Sequence, residues 1–260
     1  MSTLKRTKLN NLLAEQPKGI VLLVSWLGTQ GYTPDLLRKY RQSNWFESIG
    51  TNALIRRGDD VGYEGAVYAL QHQAGLSIHP SGKTALSLLG KAHYLPLATK
   101  RISLMGHQGE RLPSWFLQHK WHVDVDYFTT SSLPAHDGLT TIEIDGFSIR
   151  ISSAPRAMLE CLLLSKDSAD FVECYQLMEG LNNLKPSAVQ ELLEKCTSIK
   201  VKRLFLFMAD KAGHEWLGHL DMEKVNLGSG KRSLVQDGAY NSKYQITIPR
   251  ELETHGRAVL

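Results

Sequence analysis

Thr33-Pro34-Asp35-Leu36-Leu37-Arg38-Lys39-Tyr40-Arg41-Gln42-Ser43 is followed, after Asn44, by Trp45-Phe46-Glu47-Ser48-Ile49, the turn Gly50-Thr51-Asn52, and Ala53-Leu54-Ile55-Arg56. Thr favours the N-cap of a helix and Pro its first position, so a helix starts at Pro34 and runs to about Ser43. At about 100° per residue, Leu36, Leu37 and Tyr40 fall on one side of it. Asp35, Arg38, Arg41 and Gln42 fall on the other, with Lys39 at the edge. The two short runs flanking Gly50-Thr51-Asn52 read as a strand and its return. Arg57-Gly58-Asp59-Asp60 ends the unit.

Working back toward the N-terminus, Leu4, Leu9, Leu12 and Leu13 give residues 3–15 an amphipathic helical spacing, stopped by Pro17-Lys18-Gly19. Ile20 to Gln30 reads as a second helix anchored by Trp26 and Leu27, with Gly31 just past its end. Helix, helix, short turn, helix and two-stranded ribbon is the order of a winged helix-turn-helix. In that unit the helix after the turn enters the major groove, and the wing reaches phosphate or the minor groove. Arg pairs with guanine O6/N7 and Gln with adenine N6/N7, which makes Arg38, Arg41 and Gln42 the base-reading candidates. Lys39, Arg56 and Arg57 suit phosphate. Thr33 at the helix start and Thr51 and Asn52 at the wing turn are small polar residues able to contact backbone.

Charge agrees with that placement. Residues 1–60 hold nine Lys/Arg against five Asp/Glu, a net of +4, which is also the net of the whole chain. Residues 61–260 therefore sum to zero. A local cationic excess is what phosphate attraction requires. The remaining composition, 42% hydrophobic and 22% charged over 260 residues, suits a globular protein of two domains. No apolar run approaches the ~18 residues of a membrane span. The start of the chain shows no signal-peptide pattern. Three cysteines, Cys161, Cys174 and Cys196, are odd in number and lie in helix-like segments, which excludes a disulfide framework and a zinc cluster of the Cys-x-x-Cys kind. The expectation is a cytoplasmic protein with reduced, buried thiols and no metal or cofactor.

Beyond residue 60 the periodicities are mixed. Tyr63 to Ala74 and Ser81 to Leu89 read as helices, with Leu76 to His79 as a strand between them. Arg101 to Met105 and Val123 to Phe128 read as strands around a short helix from Pro113 to His119. Thr141 to Ile144 and Phe147 to Ile151 form a hairpin about Asp145-Gly146. Four helices follow: Pro155 to Leu164, Asp170 to Gly180, Ser187 to Cys196 and Val201 to Ala212. Leu234-Val235 and Tyr244 to Ile248 suggest a last hairpin split by Asp237-Gly238. The fold class is α+β (mixed): a winged helix-turn-helix over 1–60, then a larger mixed α/β domain over 61–260 with a sub-boundary near 151 and a helical part over 154–212.

Enzymatic signals are weaker. Ser81-Gly82-Lys83-Thr84 has the tail of a phosphate loop, but Ser77 stands where the pattern needs Gly, and a helix start capped by Ser81 explains the run. Asp124-Val125-Asp126 and Glu143-Ile144-Asp145 are carboxylate pairs of the kind a metal-dependent nuclease uses, the alternative function. The Glu-x-Lys partner of such sites is missing. His214 and His219 flank Trp216 but do not share a helical face. Gly228-Ser229-Gly230-Lys231-Arg232 is a basic loop, and Lys195, Lys200, Lys202, Arg203 and Lys211 form a basic set on the last helices.

The chain resembles the AbiEi family of antitoxins from type IV toxin–antitoxin, or abortive infection, modules. In the first part the resemblance rests on Pro17-Lys18-Gly19, Ser25-Trp26-Leu27, Gly31, the helix from Leu36 to Tyr40, Trp45-Phe46 and Ile49-Gly50. Beyond it are Gly65-Ala66-Val67-Tyr68-Ala69-Leu70-Gln71, Gly82-Lys83-Thr84-Ala85-Leu86, His93-Tyr94-Leu95-Pro96, Leu112-Pro113-Ser114-Trp115-Phe116, Met178-Glu179-Gly180-Leu181, Val201-Lys202-Arg203-Leu204-Phe205-Leu206 and Gly228-Ser229-Gly230-Lys231-Arg232. The order of these segments, more than any one of them, carries the likeness. It implies that the N-terminal unit binds inverted repeats upstream of its own operon and represses it. It implies that the larger domain, akin to a nuclease scaffold that lost its catalysis, neutralises a nucleotidyltransferase-like toxin without needing a stable complex. The wing turn departs from the family, being poorer in Gly and Arg. A further alternative is a toxin-binding protein whose winged helix only makes protein contacts.

Overall fold

The computed structural model describes residues 3–91, 101–235 and 237–254. The segment His93-Tyr94-Leu95-Pro96 lies outside the described residues. Helix α1 (Thr3–Glu15) buries Leu9 and Leu12. The apolar run after it is a correction to the expected helix over 20–30. Ile20, Val21, Leu22 and Leu23 are each at most 3% exposed, and a run buried on every side suits an extended segment better than an amphipathic helix. Its end is strand β1 (Leu22–Leu23), and only then does helix α2 (Val24–Thr29) begin. Gly31 closes α2 at φ +81°, a conformation that glycine adopts freely. Helix α3 (Pro34–Gln42) follows, then β2 (Phe46–Gly50) and β3 (Ala53–Arg56). The sheet order is β1-β3-β2, with Leu22 opposite Leu54 and Leu23 opposite Ala53.

Helix α4 (Tyr63–Tyr68) opens the rest and runs into a π-helical turn at Ala69–Gln73. Strand β4 (His79–Pro80), helix α5 (Gly82–Leu88), strand β5 (Arg101–His107), helix α6 (Ser114–Gln118) and strand β6 (Asp124–Thr130) come next. Their sheet has the order β4-β5-β6, and β5 and β6 are parallel. Strands β7 (Leu139–Ile144) and β8 (Phe147–Ser152) form the expected hairpin. Asp145 at φ +46° and Gly146 at φ +92° supply the two left-handed residues of its tight turn. Helices α7 (Ala154–Leu164), α8 (Ser168–Glu179), α9 (Pro186–Lys195) and α10 (Ile199–Lys211) agree with the sequence to within a few residues. Strand β9 (Arg232–Ser233) runs parallel to β11 (Ile246–Ile248), which pairs antiparallel with β10 (Ala239–Asn241). The last hairpin is thus 239–248, and Leu234-Val235 lies outside its strands. Helix α11 (Arg250–Thr254) ends the described chain. The molecule is a mixed α/β fold with an N-terminal winged helix-turn-helix.

Two charged residues organise the larger part from within. Glu160 on α7 is fully buried and accepts from Arg156 Nε at 2.8 Å, Ser152 Oγ at 2.6 Å and Gly82 N at 3.0 Å, with His79 Nε2 at 3.3 Å. It therefore caps α5 in place of Ser81, whose hydroxyl makes no capping bond and is buried without a partner. Arg203 on α10 donates to the carbonyls of Leu227, Gly228, Gly230 and Gln245. It holds the 228–232 loop against β11. Arg203 and Lys202 are both 2% exposed, while Lys195 is exposed and Lys200 and Lys211 are half-buried, so the basic set of the last helices is not one face.

The N-terminal unit is docked on α4. Val21 N donates to Gly65 O at 3.2 Å, and a Cβ at Gly65 would lie 1.9 Å from Gly19 O. Gln73 Oε1 accepts from Leu23 N at 2.7 Å while its Nε2 donates to Val21 O at 2.9 Å. Gln71 treats β8 the same way, accepting from Arg150 N and donating to Arg150 O, both at 2.8 Å.

Candidate nucleic-acid interface

Helix α3 begins as its sequence dictates. Thr33 Oγ1 accepts from Leu36 N at 3.3 Å, and Pro34 takes the first position, whose N–H has no helical partner. Leu37 and Tyr40 are buried and Leu36 is half-buried, so the inward face is the one that periodicity assigned. Asp35, Arg38, Lys39, Arg41 and Gln42 are all exposed on the outward side. Arg38 Nη2 lies 2.9 Å from Asp35 Oδ1 one turn earlier, an exposed pair that orients the guanidinium but binds it weakly. The outer surface of α3 thus carries three cations, one amide and one acid, held on a short, well-capped helix.

The wing is short. Strands β2 and β3 turn through Thr51-Asn52 alone, and Asn52 adopts φ +70°. Its side chain folds back onto α2: Asn52 Oδ1 accepts from Ser25 N at 2.8 Å, and Nδ2 donates to Ser25 Oγ at 3.1 Å. Behind the tip, Gly50 abuts α6, where an added Cβ would come within 2.9 Å of Trp115 Cβ. Thr51 and Asn52 remain exposed, but the tip is fastened to the body instead of reaching outward.

Of the two arginines at the end of the wing, only one points to solvent. Arg57 is exposed. Arg56, expected at phosphate, is 7% exposed and turned inward. Its Nη2 donates to Gln16 O, just past the C-terminus of α1, and to Leu12 O, which also accepts from Gln16 N. Burial pulls its pKa down, and nearby Asp59 partly offsets that. The correction has a local cause: a helix end buried beside β3 needs donors, and Arg56 is the long cation within reach. Trp45, which the sequence places at the start of a strand, is 47% exposed, and its carbonyl accepts from Arg57 N at 3.1 Å. It sets a bare indole at the junction of α3 and the wing. Nothing in the sequence separates such a Trp from a core residue.

The nuclease-like pairs do not converge. Asp124 and Asp126 sit on β6 opposite Arg101, 3.7 and 3.6 Å from its guanidinium. Glu143 is exposed on β7, and Asp145 forms the turn that follows it. Among the described residues no three His, Cys, Asp or Glu side chains are placed to hold a metal ion. His214 is buried, with Nε2 at 2.7 Å from Met178 O and its ring stacked on Trp216.

Two sequence models together span nearly the whole chain. Residues 5–97 match the N-terminal domain of the AbiEi antitoxin transcriptional regulators, and residues 99–249 match the AbiEi antitoxin transcriptional regulator of type IV toxin–antitoxin systems. The chain belongs to the AbiEi family. AbiEi proteins are transcriptional regulators and antitoxins, and the winged helix-turn-helix lies in the part that the N-terminal AbiEi model covers. The RV2827C protein from Mycobacterium tuberculosis has a similar fold, with a TM-score of 0.55 over 88% of this chain and 86% of that one, at 13% identity. No curated relative matches the chain. No helix among the described residues of this AbiEi chain is long and apolar enough to cross a membrane.

Proposed function

We propose that residues 1–60 bind duplex DNA at inverted repeats upstream of the protein's own operon and repress it. Residues 61–260 antagonise a nucleotidyltransferase-like toxin without needing a stable complex. Both tasks are performed by binding rather than catalysis. The observation that carries the first is the outer face of α3. Arg38, Lys39, Arg41 and Gln42 stand exposed on a helix whose start is capped and whose inner face is fixed by Leu37 and Tyr40. Arg38, Arg41 and Gln42 read base edges, and Lys39 and Arg57 contact phosphate. Thr33, Thr51 and Asn52 lie at the margins of this surface, and Arg56 supports it from inside.

A gel-shift titration with the DNA immediately upstream of the gene tests the reading. Arg38→Ala and Arg41→Ala each cost about 1–3 kcal/mol of specific affinity if they read bases. Affinity falls steeply as salt rises, because each phosphate contact releases counterions. Wild-type binding in both variants would rule out this face.

A further inference from the structure

Cys161 on α7 and Cys174 on α8 both line a cavity of about 600 Å³, together with Lys83, Tyr63, Phe128 and Glu173. Helices α7 and α8 pack against each other, and Ser165 bridges the two cysteines, its Oγ donating to Cys161 O at 2.8 Å. Ser165 Oγ lies 3.2 Å from the Cys174 sulfur. Lys83 is ion-paired with Glu173, the residue before Cys174, and its positive charge reaches both sulfurs. The pair is asymmetric. Hydrogen bonding from Cys161, aided by Ser165 and Lys83, pulls the Cys174 thiol down, while donation and burial push Cys161 up. Cys196 at the end of α9 is a natural contrast: burial pushes it up, and it does not line the cavity.

We propose that Cys161 and Cys174 are a redox-active dithiol, converted by peroxide-class oxidants into a disulfide that joins α7 to α8. A thiolate is the attacking form of cysteine, and Cys174, whose thiol is pulled below its ordinary value, reaches that form more readily than Cys161. Its sulfur attacks one oxygen of hydrogen peroxide, and the O–O bond breaks. The products are the Cys174 sulfenic acid and a hydroxide, which takes the proton that the thiol gave up and leaves as water. The Cys161 sulfur then attacks the sulfenic sulfur. The S–O bond breaks, the hydroxyl leaves with the Cys161 proton as a second water, and the S–S bond forms. Two thiols lose two electrons and one peroxide gains them. Cys161 and Cys174 are 5% and 1% exposed, so the oxidant must arrive through the cavity, whose volume admits a molecule the size of water. Lys83 and Glu173, whose side chains are 43% and 34% exposed, stand on its wall.

The test uses the reduced full-length chain, exposed to hydrogen peroxide, quenched with N-ethylmaleimide and mapped by non-reducing peptide mass spectrometry. The expected product is a Cys161–Cys174 cross-link with the loss of two hydrogens, reversed by dithiothreitol, with Cys196 alkylated as a free thiol. Two free, alkylated thiols in the folded chain, a cross-link formed only in denaturant, or one that includes Cys196 would overturn the proposal. The assignment of roles is read with dimedone, which traps sulfenic acids. Cys174 in the Cys161→Ser variant labels about tenfold more than Cys161 in the Cys174→Ser variant. Equal labelling would overturn the asymmetry. The wild-type mapping stands even if a serine variant fails to fold.

Discussion

Asn52 at the wing turn and Ser25 at the start of α2 exchange two hydrogen bonds, at 2.8 and 3.1 Å, through one amide side chain. The wing is thereby part of the helical body. Asn52→Ala loses both bonds and leaves a Cβ residue at φ +70°, so stability falls by about 2 kcal/mol. Asn52→Gly loses the bonds but not the backbone fit and costs about 1 kcal/mol. Urea titration of both variants checks the ranking. Equal losses would show that the turn conformation contributes nothing.

Arg56 and Arg57 are neighbours in sequence with opposite duties. Arg56→Met removes the side-chain donor shared by Gln16 O and Leu12 O, of which only Leu12 O keeps a backbone donor, and costs about 2 kcal/mol of stability. Arg57→Ala leaves stability within about 0.5 kcal/mol, while the salt slope of DNA binding drops by about 1. Denaturation and fluorescence anisotropy on the same two proteins separate the effects. A stable Arg56→Met protein with weakened DNA binding would reverse the assignment.

Asp35 places a negative charge on the outward side of α3, the side proposed to meet DNA, and lies 2.9 Å from Arg38. Asp35→Asn removes a favourable charge from the helix start, a loss of about 0.5 kcal/mol of stability. Duplex affinity should nevertheless rise by about threefold, since phosphate repulsion goes and Arg38 is released. Affinity that stays level or falls would place the N-terminal turn of α3 away from the duplex.

Glu160 sets an acid limit. Burial pushes its carboxyl up, and His79, Arg156 and Ser152 more than reverse this, so it titrates below its ordinary value of 4.5. A carboxylate held down in the folded state stabilises the fold above its unfolded pKa and ceases to do so as pH falls through the folded one. The contribution is therefore intact at neutral pH and is lost below pH 4.5. Glu160→Gln leaves Arg156 buried without its charge partner and costs about 3–5 kcal/mol at pH 7. Its stability should also lose part of the acid dependence seen in the wild type. Parallel curves of stability against pH for the two proteins would contradict that role.

What the sequence made legible was local chemistry. Thr33-Pro34 announces α3, Asn52 and Asp145-Gly146 announce their turns, and the spacing of Leu37 and Tyr40 orients the outer face of α3. Those signals act within a few residues. Strand β1 is illegible locally because an apolar run of that length suits a helix or a strand equally, and its partners Ala53 and Leu54 lie far along the chain. The inward turn of Arg56 and Arg203 is illegible for a related reason. A cation's sequence neighbours do not reveal the carbonyls it will meet, which lie at the end of α1 in one case and in the 227–230 loop in the other. That Cys161 and Cys174 line one cavity depends on how α7 packs against α8, which no spacing encodes.

Gln71 and Gln73, two residues apart on the π-helical turn, each lay a primary amide along the rim of a different small sheet. A side-chain amide sets an N–H donor and a carbonyl acceptor side by side, like a peptide unit, but no chain continues beyond it. Each glutamine therefore acts as a terminator: it satisfies the rim of β1 or β8 and offers no further rung to a passing chain. Open strand rims recruit foreign strands and seed fibres. A protein whose fold is divided among several two- and three-stranded sheets has many such rims, and these two glutamines guard a pair of them against polymerisation.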